Sequence, residues 1–120
     1  MDRTRWTKKN GKDIFIIDLS NLREPEEIIK VVEEGKKVCL QQPEHSLLSI
    51  TNVEGMSFNT QVVDAVKKLA KDTEPTAKKA VVSGMSGIQK AIFHGVQSFS
   101  NRRFEVYNTL DEAIEALSKQ

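Results

Sequence analysis

The residues best suited to chemistry in this sequence are small and polar, and they gather where strands should give way to helices. Ser20-Asn21, Thr51-Asn52, Ser83-Gly84 and Asn108-Thr109 each close an apolar or alternating run. Open α/β sheets bind ligands at the carboxyl ends of their strands, beside helix N-termini whose free N–H groups favour anions. Asn52, Gly84, Ser86 and Gly87 are therefore candidates for holding a small ligand or anion. Arg102 and Arg103, with Lys90 as a third cation, form a basic patch that suits a carboxylate or phosphate. Strand-to-helix turns need such residues as caps in any case, and capping accounts for most of them. The run Gly84-Met85-Ser86-Gly87-Ile88-Gln89-Lys90 matches neither GxxxxGK[ST] nor GxGxxG, so neither nucleotide loop is supported. Ser57 and Thr60 flank an expected helix start, where a phosphate would meet the positive helix end and redirect a partner by charge. The plainer reading of each is a loop hydroxyl with local hydrogen bonds.

Little else points to a reaction. His45 and His94 lie far apart, and neither has a second ligand at metal spacing. No Ser or Cys nucleophile sits in a recognisable motif, and no acid–base pair stands out. Cys39 falls on a helix face expected to be buried, where it acts as a small apolar side chain rather than a reactive thiol. The expectation is no catalytic residue, no metal and no cofactor.

The elements that must position these residues follow from periodicity. Asn10-Gly11 between two extended runs is a hairpin signal, because both residues tolerate positive φ in a type I′ turn. Trp6 then lies on the first strand and packs onto the sheet, and lysines around the turn guard the edge. Residues 14–19 are apolar almost throughout, as in a strand covered on both faces, with Asp18 interrupting near the end. Pro25 opens a helix. Ile28, Val32, Gly35, Cys39 and Gln42 mark one face of about five turns, ended by Pro43. The competing reading stops the helix at Gly35 and makes residues 37–41 a strand. The long helix is preferred because Gly35 falls on the inward stripe, where a missing side chain permits close approach. Residues 46–53 form the next strand, and Asn59 caps a helix with Phe58 stapled onto Val63. Residues 80–82 form a short buried strand. Ser86 to Gln89 is a capping box for a third helix, residues 104–107 alternate as a half-exposed strand, and Thr109 to Glu112 caps the last helix.

The fold class is therefore α/β: an N-terminal β-hairpin followed by four βα units, on a mixed, mostly parallel sheet of about five strands. A chain of 120 residues reads as one domain over residues 1–120. Eighteen Lys and Arg against seventeen Asp and Glu give a weak overall field, which argues against nucleic acid as a partner. One cysteine, no apolar leader and no bilayer-length apolar run suggest a cytoplasmic protein without membrane insertion. A homodimer is compatible with the sequence if an apolar patch stays exposed.

The second half of the chain carries a resemblance. The segments LLSITNVEG (residues 47–55), FNTQVV (58–63), KAVVSGMSGIQ (79–89), SFSNRR (98–103) and YNT (107–109) follow in an order similar to that of the SpoIIAA-like group of STAS-related small proteins. Nearly the whole chain fits, including the Trp6 strand and the Asn10-Gly11 turn. The resemblance implies a SpoIIAA-like fold, which lipid-binding CRAL-TRIO domains also use. STAS proteins proper act as anti-sigma factor antagonists switched by a phosphoserine in a loop before a helix. Their Asp-Ser-Ser-Gly pattern is missing here, and Ser57 is the positional counterpart. The expectation is a non-enzymatic regulatory or protein-interaction module with a protein partner. The alternative is a carrier of a small anionic or lipid ligand at the carboxyl edge of the sheet or between helix and sheet.

Overall fold

A computed structural model describes residues 3–87 and 105–120. The expected third helix beyond Gly87, with Lys90, His94, Arg102 and Arg103, lies outside the described residues. Asn10 (φ 54°) and Gly11 (φ 77°) both take positive φ, as a type I′ turn requires. They join β1 (Thr4–Lys9) to β2 (Lys12–Asp18) in antiparallel register, with Trp6 opposite Phe15. The two rings sit 5.0 Å apart, and Trp6 still leaves about half its surface open. The Asn10 amide donates to the Ser118 hydroxyl at 3.1 Å, which fastens the turn to the far end of the chain.

Pro25 occupies the first turn of α1 (Pro25–Leu40), where its missing N–H costs nothing. The helix runs unbroken through Gly35, and no strand forms at residues 37–41. A Cβ at Gly35 would stand 2.7 Å from Ile17 Cδ1, so the absent side chain is what lets α1 lie against β2. The helix stops three residues short of Pro43. The Gln41 and Gln42 N–H groups turn back to the Val38 and Cys39 carbonyls, closing the end by local bonds.

β3 (Leu47–Asn52) pairs in parallel with β2, and β4 (Ala77–Ser83) with β3. Between them lies α2 (Thr60–Thr73), whose Asn59 side chain accepts from the Val62 N–H at 2.9 Å as a cap. β4 begins three residues before the apolar run at 80–82, because ladder bonds to Leu47 and Leu48 need no apolar side chains. A short β5 (Glu105–Tyr107) pairs in parallel with β4, and Thr109 caps α3 (Leu110–Leu117). The sheet is five-stranded in the order β1-β2-β3-β4-β5.

Side chains alternate across the strands, so the sheet feeds two cores. Phe15, Ile17, Val53 and Val82 meet α1 and α2 in the larger one. Ile14, Leu48, Ile50 and Val81 meet Ala113 and Leu117 of α3 in the smaller.

Candidate functional site

The register places Asp18, Asn52 and Ser83 side by side at the carboxyl ends of β2, β3 and β4. All three are buried. Their side chains form one hydrogen-bonded line: the Ser83 hydroxyl donates to Asn52 Oδ1 at 3.1 Å, and Asn52 Nδ2 donates to Asp18 Oδ1 at 3.4 Å. The Glu54 N–H also reaches Asn52 Oδ1 at 3.5 Å. Beyond Asp18 the line passes to the hairpin, where Arg5 Nη1 donates to Asp18 Oδ2 at 3.2 Å. Arg3 donates to the Ser20 carbonyl at 2.8 Å and stands 3.9 Å from the Asp18 carboxylate. Burial pushes the Asp18 carboxyl upward, but hydrogen bonds from Ser20 and Arg5, with the Arg5 charge, outweigh it and hold the group below its ordinary value. Asp18 is thus an ionised carboxylate in a row where an anion had been expected to bind.

β5 ends the row differently. Tyr107, in register with Ser83, donates its hydroxyl outward to the Glu105 carboxylate. Lys79, 2.7 Å from Glu105, and then Tyr107 lower that acid. The bond to Glu105 in turn raises the Tyr107 hydroxyl.

The candidate glycines and serines fall around this row. Gly84 has φ 83°, and a Cβ there would meet the Glu54 backbone N at 2.8 Å, so close packing of two loops explains it. Ser86 and Gly87 are exposed, and nothing lies within 4 Å of a Cβ at Gly87. The Asn52 side chain is bonded to Asp18 and Ser83 rather than to these residues. Arg102 and Arg103 fall outside the described residues. Ser57 is half-buried, with its N–H bound to the Leu22 carbonyl at 3.0 Å, and Thr60 is exposed at the first position of α2.

A second feature lies beneath α2. A cleft of about 40 Å³ runs between that helix and strands β3 and β4, lined chiefly by apolar side chains from Phe58 to Thr73. Drug-sized ligands take roughly 300–1,000 Å³, so this space as formed is far too small for a lipid. Ser49 and Thr51, on the floor, add hydroxyls.

Composition hid the Arg3–Arg5–Asp18 cluster, but the turn could have revealed it. A two-residue turn at Asn10-Gly11 fixes the hairpin register, and one step past the Thr4–Ile17 pair brings Arg3 to Asp18. The Asp18 N–H bonds the Arg3 carbonyl at 2.7 Å. Among the described residues, no group of three or more His, Cys, Asp or Glu side chains could hold a metal ion. No described helix is long and apolar enough to cross a membrane.

These elements and their order define a SpoIIAA-like fold. Among solved structures, the chain is similar to an uncharacterised protein of the DUF3478 family from Shewanella loihica PV-4, which has that fold. The two superpose with a TM-score of 0.69 over 95% of this chain and 91% of the other, at 9% sequence identity. No protein-family model matches the sequence. No curated protein matches it either.

Proposed function

We propose that this protein is a non-enzymatic, STAS-like regulatory or protein-interaction module that meets a protein partner through the loop of residues 54–59 and the start of α2. One observation carries this reading. The Ser57 and Thr60 hydroxyls flank the capped start of α2, and the first turn of that helix holds no acid. α1 opens with Glu26 and Glu27, and α3 with Asp111 and Glu112, so their positive ends are already met by carboxylates. The end of α2 is left for a negative group brought by modification or by a partner. A phosphate on Ser57 or Thr60 would be drawn to it and would change the surface charge of the loop. The SpoIIAA-like fold supports the reading. The rival, an anion carrier at Asn52, Gly84, Ser86, Gly87, Arg102 and Arg103, has less support because the Asp18 carboxylate adjoins Asn52.

The test is affinity capture of the full chain from its native cell, with mass spectrometry of the chain itself. The expected result is one stoichiometric protein partner whose capture changes in Ser57→Glu and Thr60→Glu variants. Recovery of no partner, with no phosphate at either position, would overturn the reading.

A further inference from the structure

We propose that the cleft beneath α2 is a binding site for a small, uncharged molecule carrying one hydrogen-bonding group on an aliphatic body, held by the Ser49 hydroxyl. Ser49 is more than nine-tenths buried and lines the cleft, yet no hydrogen bond reaches its side chain among the described residues. Buried hydroxyls are nearly always paired with protein or ordered water, so one facing an open space marks a missing partner. The other buried hydroxyl on the lining, that of Thr73, already donates to the Leu69 carbonyl at 2.7 Å.

Three properties define the occupant. Among the described residues no charged side chain lines the cleft, so an ion would be desolvated there without compensation from them. The volume of about 40 Å³ is a few times the ~10–15 Å³ that admits one water, which limits the enclosed part to a few heavy atoms. A water would meet the hydroxyls of Ser49, Thr51 and Thr73, the last already donating to Leu69, and would leave the apolar side chains that make up most of the lining without a contact. A short alcohol makes the same bond to Ser49 and adds apolar contact with Leu69 and Val82. Phe58 and Val66 on the lining are only half-buried, so a longer tail would leave beside them. The cleft shares Phe58 with the loop of residues 54–59 assigned to a partner, but Ser57 and Thr60, which that assignment rests on, do not line it, so failure of the cleft would leave the assignment standing.

The experiment titrates the full chain with 1-propanol and, separately, with xenon, reading ¹³C-methyl shifts of Val66, Leu69 and Val82. Saturable shifts confined to these methyls are expected for both probes. Ser49→Ala should weaken 1-propanol by about 3- to 10-fold, the worth of one hydrogen bond, and leave xenon unchanged. Ala70→Val, which fills the cleft from the helix side, should abolish both. The proposal is overturned if 1-propanol gives no saturable shift, binds Ser49→Ala as tightly, or still binds Ala70→Val. A crystal structure soaked in 1-propanol with only a water on Ser49 would overturn it as well.

Discussion

Ser83 and Ser49 are both buried in the sheet, on adjacent strands, and they face opposite layers. Ser83 is wholly buried and spends its hydroxyl on Asn52, at one end of a line that continues through Asp18 to Arg5 near the surface. Ser49 is almost as deeply buried, but it faces the apolar cleft beneath α2, and among the described residues nothing bonds its hydroxyl. The difference is one of neighbours. At the carboxyl edge, parallel register sets polar side chains in one row, where each satisfies the next. In the middle of the sheet Ser49 lies between Phe15 and Ala80, and among the described residues no hydrogen bond reaches its hydroxyl. A buried polar group is stabilising or costly according to what the adjoining strands supply. The first arrangement holds strand ends together; the second leaves room for a guest.

The largest break in this comparison should come from Asp18→Ala. It removes the acceptor shared by Asn52, Ser20 and Arg5, and urea unfolding should show a loss of about 2–4 kcal/mol. Because Arg5 is partly open to water, the loss should fall short of that for a fully buried pair. Ser83→Ala should cost about 1–2 kcal/mol in the same assay, since it takes the hydroxyl donor from a buried Asn52 carbonyl.

Acidification probes the same row. Asp18 has a folded-state pKa below its unfolded value of about 3.9, so its contribution is complete above that value and is lost as pH falls through the folded one. Glu105 and Glu115, lowered by Lys79 and Lys9, share this acid limb. The difference between the native chain and Asp18→Asn isolates the Asp18 part: the variant should show a shallower fall in stability below pH 4. Equal slopes for the two chains would mean that Asp18 is not held ionised by this network.

Ser49→Ala should have the smallest effect. Removing a hydroxyl that has no partner among the described residues should leave stability unchanged or raise it by up to about 1 kcal/mol, the opposite sign from Ser83→Ala. A loss as large as that of Ser83→Ala would show that Ser49 has a partner in the unliganded protein, and the contrast between the two serines would collapse.

Much of the scaffold was legible in the residues because it rests on local chemistry. Asn10-Gly11 sets the hairpin by tolerating positive φ, Pro25 starts α1, and Asn59 and Thr109 cap their helices as their side chains dictate. Gly35 was readable as a contact point because helical spacing placed it on the inward stripe. The ends of elements were less so. α1 closes on bonds from Gln41 and Gln42 rather than at Pro43, and β4 starts at Ala77, where pairing with β3 outweighs the polar character of Lys78 and Lys79. The polar strand ends fall along one edge as their spacing suggested, but only the register revealed the Asp18 carboxylate beside Asn52 and Arg5 beyond it.

Sequence alone thus determined the order of elements, the hairpin, the helix caps and the location of a polar edge, because each depends on residues within a few positions of one another. Tertiary structure decided which side chains became partners, since Arg5 meets Asp18 across a turn and Asn52 meets Ser83 across 31 positions of chain. Among the described residues it left the Ser49 hydroxyl with none. Spacing along a strand fixes the face a side chain takes, but only packing between strand and helix fixes what stands opposite it.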